Sequence, residues 1–252
     1  MAELPLLEFD EDRQAVIEPS RAVKPVEGLP EGCVLCFFQD VFEKLTAELG
    51  EPIASLRTEF ARHPVYLLDH RGQRFGLLHP GVGAPLAACM LEEAIALGFS
   101  KFVACGSAGV LDKEIAPGHF MLPFAAVRDE GTSFHYLPPA REVRADPSVV
   151  RVLEETLRES QRPYLLCRTW TTDAVYRETR SRVDRRRAEG CLAVEMETAA
   201  LLAVAQFRGV KLGQYLYGGD DVSGADWDPR DWHRLAVRET LFWLSADALL
   251  NL

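Results

Sequence analysis

The chain has no long apolar run and no dense basic face. Its 252 residues include 38 acidic and 28 basic side chains, which give a formal net charge of −10 at pH 7. No stretch approaches the roughly 20 apolar residues that span a bilayer, and residues 1–12 lack the basic start and continuous apolar run of a signal peptide. The sequence therefore predicts a cytoplasmic protein without a membrane or nucleic-acid partner.

Cysteine and histidine are scarce, with six of each, and neither is spaced as a set of metal ligands. Cys33 and Cys36 lie in one apolar run, where strand alternation directs their side chains to opposite faces of a sheet. We therefore expect neither a disulfide framework nor a redox motif, and the sequence implies no metal site and no organic cofactor. The other four cysteines are predicted to be small core residues: Cys89, Cys105, Cys167 and Cys191.

Apolar runs alternate with helical patterns along most of the chain. The order predicts an α/β fold, with one domain over residues 32–252 whose twisted mixed sheet is flanked by helices, and residues 1–31 form an extended, proline-containing N-terminal arm. That arm packs either against its own domain or against a neighbouring subunit. Strands are predicted at 33–38, 65–68, 75–78, 102–105, 164–167 and 210–217, and helices at 84–97, 147–159, 177–188 and 231–249.

Two acids stand where an apolar run gives way to a helical pattern. Glu195 and Glu197, separated by Met196, precede an apolar helix predicted at 198–207. An acid at this place either stabilises the helix through its dipole and unpaired N–H groups or accepts two hydrogen bonds from a vicinal diol such as a ribose 2′,3′-pair. The spacing leaves both interpretations open.

Polar residues also follow two predicted strands. The segment 106–109, Gly-Ser-Ala-Gly, is predicted to be a loop that exposes backbone N–H groups and the Ser107 hydroxyl to an anion or a sugar oxygen, or is an ordinary tight turn. Asp220 and Asp221 follow the strand predicted at 210–217. Either acid can cap the next turn or face a ligand at the edge where open α/β sheets bind one.

These residues together resemble the signature segments of the nucleoside phosphorylase family, which includes uridine phosphorylase, hexameric purine nucleoside phosphorylase and methylthioadenosine nucleosidase. The resemblance implies a twisted central sheet with a partly barrel-like second sheet, cleavage of the N-glycosidic bond of a small-molecule nucleoside, and phosphate as a possible co-substrate. It also implies a homo-oligomer, dimer or hexamer. The matching segments occur in the family's order: 79–85, 106–109, 127–138, 171–173 and 195–200.

The resemblance also implies roles for individual residues. Glu197 and Met196 would bind ribose, with Glu197 also stabilising the positive charge of an oxocarbenium-like transition state. Asp220 would donate a proton or a strong hydrogen bond to purine N7 as the base leaves, which favours a purine over a pyrimidine. Ser107 and Gly83 would contact the nucleophile or phosphate. The base-binding set is completed by Val175, Tyr176 and Glu195.

Two arginines expected in phosphate-using members are absent. One belongs in the first-strand loop, where this chain has Asp40, and the other stands before the Gly-Ser/Thr-x-Gly segment, where it has Ala104. The loss predicts a weakened anion site, which Arg57 or Arg62 can compensate.

The residue in the first-strand loop leaves the reaction open. The nucleosidase branch uses water and places an acid in that loop to activate it, so Asp40 is either that acid or the N-cap of a helix predicted at 41–49. Three hypotheses follow: phosphorolysis to free base and ribose 1-phosphate, hydrolysis, and nucleoside binding without catalysis.

Overall fold

A computed structural model of the protein describes residues 4–59, 61–230 and 235–252, with the backbone alone described at Leu235. The strands in these ranges are β1 (Gly32–Cys36), β2 (Ala54–Arg57), β3 (Arg62–His70), β4 (Gln73–Leu78), β5 (Lys101–Val110), β6 (Phe120–Asp129), β7 (Glu142–Arg144), β8 (Tyr164–Thr172), β9 (Cys191–Glu195) and β10 (Lys211–Asp221). The helices are α1 (Pro19–Ala22), α2 (Gln39–Thr46), α3 (Ala84–Leu97), α4 (Pro147–Glu159), α5 (Arg180–Ala188), α6 (Thr198–Arg208) and α7 (Leu235–Leu250). Across the described residues, no helix is long and apolar enough to cross a membrane.

The strands form one mixed sheet, part of which closes on itself. The sheet order is β10-β6-β8-β9-β5-β1-β4-β3-β2, and β10 also pairs with β5. Five strands, β10, β6, β8, β9 and β5, therefore form a closed ring, and β1, β4, β3 and β2 extend from β5 as an open sheet. β4, β1, β5 and β10 are parallel to one another. The α/β fold with a mixed sheet and a partly barrel-like second sheet is confirmed.

Helices cover both faces of the open sheet. α3 and α6 pack in one apolar cluster with Cys33 and Leu35 of β1, and α4 and α7 pack in another with Val34 and Cys36. The alternation along β1 therefore separates the two sulfurs as predicted. Cys89 is exposed on α3, so the prediction of a core position was wrong for this cysteine, because it faces solvent rather than the sheet.

Two helices begin and end at the predicted residues, α3 and α4. The start of α4 is defined locally, because the Asp146 side chain accepts a hydrogen bond from the Ser148 N–H at 2.7 Å and Pro147 fits the first turn. α5 begins at Arg180 instead of 177, since Val175–Arg177 form a separate 3-10 turn. Residues 231–234 of the last predicted helix lie outside the described residues.

The segment 106–109, predicted to be a loop, continues β5. Ser107 pairs with Tyr217 of β10, and Gly109 pairs with Val194 of β9. The loop prediction was wrong because small residues at 106–109 let both ring neighbours approach, and their pairing keeps the chain extended. Ser107 is consequently held by a sheet rather than by a turn.

The described part of the predicted N-terminal arm, from Leu4 onward, contains a 3-10 turn at Pro5–Leu7 and the short α1. It contacts its own chain: Arg13 donates a hydrogen bond to the Phe207 carbonyl, and the Val26 N–H donates to the Leu97 carbonyl at 3.0 Å. A cavity of about 760 Å³ lies between the arm, α3 and the end of α6. The boundary of the arm at residue 31 stays a prediction.

Gly76, in β4, faces Phe99 without room for a side chain. A Cβ atom at this position would lie 2.5 Å from the Phe99 ring, closer than real Cβ contacts. We expect Gly76→Ala to lower the free energy of unfolding by about 1–3 kcal/mol, because the extra methyl forces the core apart. Urea unfolding measures the change, and Gly50→Ala is the control, since nothing lies within 4 Å of a Cβ there. Equal losses in the two variants would contradict the packing argument.

Candidate active site

The sheet opens beside residues 106–108 of β5. On one side, β5 pairs with β1 as far as Cys105 and with β9 from Gly109 onward. Between those points the chain pairs with β10 on its other side alone, as far as the described residues show. A gap of this kind, beyond the carboxyl end of a parallel strand, here β1, is the usual ligand position in an α/β sheet. Ser107 lies at its centre and is partly exposed.

Glu197 lies in the turn between β9 and α6. Its Oε1 accepts a hydrogen bond from the Gly83 N–H at 2.6 Å, and the residue is 7% exposed. Gly83 has φ 95°, a conformation that favours glycine and directs this N–H at the carboxylate. The Glu197 side chain makes no capping bond to α6. Helix capping therefore does not explain this acid.

Glu195 is the acid that stabilises the start of α6. Its Oε2 accepts hydrogen bonds from the N–H groups of Glu197 at 2.7 Å and Thr198 at 2.6 Å. Its Oε1 accepts from the hydroxyls of Thr171 at 2.6 Å and Thr169 at 3.3 Å. With both oxygens engaged, Glu195 fixes the turn that carries Glu197. Its predicted contact with a base stays a prediction, as does the ribose contact of the partly exposed Met196.

The two neighbouring acids have unusual electrostatics. Burial and, to a lesser extent, the negative charge of Glu195 raise the pKa of Glu197 to about 8, against the opposing effect of the Gly83 and Met196 backbone N–H groups. Burial also raises the pKa of Glu195, against the hydrogen bonds from Thr171 and the backbone. A buried carboxyl with a raised pKa is suited to a ligand that brings its own hydrogen-bond donors.

Asp220 lies on β10, beside Gly109 of β5. Its Oδ1 is 3.5 Å from where a Cβ on Gly109 would be, so glycine at 109 leaves space for the carboxyl. The Trp227 Nε1–H donates to its Oδ2 at 2.7 Å. The adjacent Asp221 instead accepts from Arg230 and, at 2.7 Å, from the Ser223 N–H. Asp221 therefore holds the chain after β10, and Asp220 is the acid left to face a ligand.

The carboxyl group of Glu178 lies close enough to Asp220 for their charges to interact. Burial raises the pKa of Glu178 to about 7, and the negative charge of Asp220 contributes to the shift. Arg180 donates to the carbonyls of Ser223 and, at 2.6 Å, of Gly224. Arg180 therefore ties α5 to the segment after β10, with its guanidinium committed to the chain. Sequence reasoning missed Glu178, which interrupts a basic run.

The predicted stacking residues lie at the open side of this region. Val175 is 49% exposed and Tyr176 is 97% exposed, because the turn at Val175–Arg177 projects from the end of β8. A single chain does not enclose either side chain. Their roles in binding a base stay predictions.

Asp40 lies near the carboxyl end of β1, in a polar cluster. The N-cap of α2 is Phe38, and α2 begins at Gln39, so the N-cap hypothesis for Asp40 was wrong. Its Oδ1 accepts from the Val41 N–H at 3.0 Å, and its Oδ2 accepts from Arg238 Nη1 at 2.8 Å. Asp40 therefore forms an ion pair with α7, and its part in catalysis stays a prediction.

Arg238 connects Asp40 with β10 and β5. Its Nε donates to the Tyr217 hydroxyl at 3.1 Å, and Ser107 also forms a side-chain hydrogen bond with Tyr217. Sequence reasoning missed Arg238, although it is the single basic residue of α7, which was an available signal. Arg57 and Arg62 instead pair across β2 and β3 and are exposed, so the single chain does not bring them to the gap.

The protein is of the α/β class, with a partly closed mixed sheet and the buried carboxyl groups of Glu195 and Glu197 beside it. Residues 33–240 match the sequence profile of the Phosphorylase superfamily. Because the match covers most of the 252 residues, the chain belongs to this superfamily.

The relatives differ in what they act on. A guanosine phosphorylase from Halorubrum lacusprofundi is 29% identical over 145 residues, which are 58% of this chain and 60% of that protein. A uridine phosphorylase from Vibrio fischeri has a TM-score of 0.75 at 19% identity, covering 95% of this chain and 100% of that one. An AMP nucleosidase from Bacteroides thetaiotaomicron has a TM-score of 0.68 at 23% identity, covering 88% of each chain. The chain spans 60% and 57% of the lengths of the first two curated relatives that it matches.

Proposed function

We propose that this protein cleaves the N-glycosidic bond of a purine nucleoside and transfers the ribosyl group to phosphate, releasing the free base and ribose 1-phosphate. The observation that carries the proposal is the buried Glu197 carboxyl, which accepts a hydrogen bond from the Gly83 N–H and makes no capping bond to α6. Membership of the phosphorylase superfamily supports the same chemistry.

Glu197 is the proposed ribose-binding group. A vicinal diol brings two O–H donors, which stabilise the ionised form of a carboxyl and lower its pKa when the ligand binds. The resulting carboxylate then lies beside the carbon on which positive charge develops as the glycosidic bond breaks. Because Glu197 is buried, its attraction to that charge is stronger than it would be in water.

Asp220 is the proposed acid for the leaving base. Trp227 donates to one of its oxygens, so that the other can carry a proton towards purine N7 as electrons flow from the glycosidic bond into the ring. Protonation at N7 makes the base a better leaving group. The name of the guanosine phosphorylase relative supports a purine substrate.

Ser107 and Arg238 are the residues proposed to bind phosphate, the acceptor of the ribosyl group. Ser107 offers a hydroxyl within the gap, and Arg238 provides positive charge at the same end through Tyr217. A guanidinium is the side chain best suited to the oxygens of phosphate. This arginine enters from the last helix instead of from either expected position.

Hydrolysis is the second candidate, favoured by the ion pair between Asp40 and Arg238. In the free protein the Asp40 carboxylate neutralises the Arg238 guanidinium. The pair therefore has little attraction for the phosphate anion, which favours neutral water as the acceptor of the ribosyl group. Asp40 would then take a proton from water as water attacks the ribosyl carbon. The AMP nucleosidase among the structural neighbours shares the fold.

Base release with and without phosphate separates the candidates. The substrates are purine and pyrimidine nucleosides, including 5′-methylthioadenosine. We expect release from purine nucleosides that depends on phosphate and produces ribose 1-phosphate. Equal release without phosphate would establish hydrolysis instead. Nucleoside binding by calorimetry with no base released would contradict both reactions and leave a binding protein.

We also propose that the protein works as a cytoplasmic homo-oligomer, a dimer or hexamer. Support comes from Val175 and Tyr176, which are exposed at the open side of the base region in the single chain. A neighbouring copy that covers them would complete the enclosure. Light scattering of the purified protein tests the assembly, and a monomer with full activity would contradict it.

A further inference from the structure

The Arg238 guanidinium is a buried cation with a partly exposed partner. The Arg238 side chain is 8% exposed, whereas that of Asp40 is 38% exposed. The guanidinium also lies 5.3 Å from the centre of the Phe38 ring. A buried arginine without a counter-ion is strongly unfavourable, so the free protein supplies one from the start of α2. That counter-ion is the member of the pair that solvent reaches.

We infer that Arg238 is an oxyanion-binding residue and that Asp40 occupies its guanidinium until an oxyanion displaces the carboxylate. The identity of the oxyanion rests on the proposed function; the exchange itself does not. In the exchange no covalent bond changes. The Asp40 carboxylate leaves Arg238 Nη1 and becomes solvated, and a phosphate oxygen accepts the hydrogen bond in its place.

The contacts around the pair favour exchange. Tyr217 holds Arg238 through Nε, so the guanidinium stays in position when Nη1 changes partner. Asp40 has a second place for its charge, because its Oδ1 already accepts from the Val41 N–H in the first turn of α2. A phosphate group carries up to two negative charges, which gives it a stronger attraction to the guanidinium than a single carboxylate has.

Ser107 extends the site towards the gap. Tyr217 accepts a hydrogen bond from Arg238 Nε and is also hydrogen-bonded to Ser107. These contacts place a cation and a hydroxyl group on the same side of the opening.

Calorimetry of inorganic phosphate with the full-length protein tests the exchange without any turnover. We expect Asp40→Asn to lower the Kd for phosphate by about tenfold, since the competing carboxylate is removed. Arg238→Gln should raise the Kd by more than about tenfold. The double variant D40N/R238Q, which keeps a neutral polar pair, should bind no better than Arg238→Gln, and thermal unfolding of each variant checks its fold.

Glu239→Gln is the matched control, because Glu239 also joins α7 to α2, through a surface ion pair with Lys44. Its phosphate Kd should equal that of the unchanged protein. An Asp40→Asn protein that binds phosphate no more tightly than the unchanged protein would overturn the inference. So would an equal gain in the Glu239→Gln protein, which would indicate a general charge effect.

Two ligands distinguish the possible sources of the oxyanion. A free phosphate acceptor predicts the Asp40→Asn gain for inorganic phosphate and none for guanosine 5′-monophosphate, whereas a nucleotide substrate predicts a larger gain for guanosine 5′-monophosphate than for inorganic phosphate. Base release measured in parallel separates the two proposals. Phosphate binding with the expected variant pattern but no base release would remove the proposed function and keep the inference. Base release without phosphate binding in any variant would do the reverse.

Discussion

Glu197→Gln is expected to lower kcat/KM for a nucleoside by about 100- to 1,000-fold, the size of effect seen when one electrostatic contact to a transition state is removed. A neutral amide accepts hydrogen bonds from the diol less strongly and offers no charge to the oxocarbenium-like ribose. The pH profile provides a second readout. In the ligand-free protein the pKa of Glu197 is about 8. The kcat/KM of the unchanged enzyme should therefore rise with pH up to about 8, and Glu197→Gln should lack that rise.

As the pH rises, the stability of the unchanged protein should fall while its kcat/KM rises. The pKa of Glu197 is raised from 4.5 to about 8 by folding, so between these values the folded protein binds more protons than the unfolded chain. Its stability must therefore fall as the pH rises through that window. Glu197→Gln removes the ionisation, and we expect it to be more stable than the unchanged protein at pH 9 and equally stable near pH 4.

Glu195→Gln is the matched comparison for Glu197→Gln. Glu195 accepts hydrogen bonds on both oxygens, so an amide nitrogen in its place would face a donor. We expect Glu195→Gln to lose stability, measured by urea unfolding at neutral pH, whereas Glu197→Gln keeps its fold. A Glu197→Gln protein with normal turnover would remove Glu197 from the proposed mechanism.

Asp220→Asn is expected to lower kcat for purine nucleosides by about 100- to 10,000-fold, the range for loss of a general acid. KM should change little, because asparagine still accepts from Trp227 and fills the space beside Gly109. Single-turnover base release from guanosine measures the chemical step. The expected loss of rate has one cause, because in Asp220→Asn the purine must leave without a proton donor at N7.

A substrate that needs no proton at N7 tests that cause. In 7-methylguanosine the methyl group already gives the base a positive charge, so the loss in Asp220→Asn should largely disappear. Asp226→Asn is the control variant, since Asp226 lies in the same segment and is exposed. An equal loss of rate for guanosine and 7-methylguanosine would mean that Asp220 positions the substrate instead of donating a proton.

Sequence patterns predicted helices better than strands. α3 and α4 have strong local signals, apolar periodicity and, in α4, Asp146 with Pro147 at the start. β6 was not predicted as a strand, because Pro123 within it argues against a central strand. The structure accommodates the proline at an irregularity in the pairing with β8, between Pro123 and Ala125. β2 and β7 were missed because four- and three-residue strands carry little periodicity.

The candidate site shows the same division. Glu197, Ser107 and Asp220 were proposed from motifs near strand ends, and they lie in the turn after β9, on β5 and at the end of β10, with both β9 and β10 paired to β5. Arg238 and Glu178 could not be placed, because their positions depend on how α7 and the turn before α5 pack against distant strands. Local patterns report a residue's own element, whereas a charge partner more than 190 residues away, as Asp40 is from Arg238, is defined by tertiary packing alone.

Ring closure gives the site its geometric accuracy. In an open sheet, a strand can slip by one residue against a single neighbour, which moves every side chain to the opposite face. In the ring, β5 pairs with both β9 and β10, and these are joined again through β8 and β6. A slip in one pair would have to be matched around all five strands. The heights of Ser107 on β5 and Asp220 on β10 are thus locked to each other before any ligand arrives, and substrate binding need not supply the energy to align them.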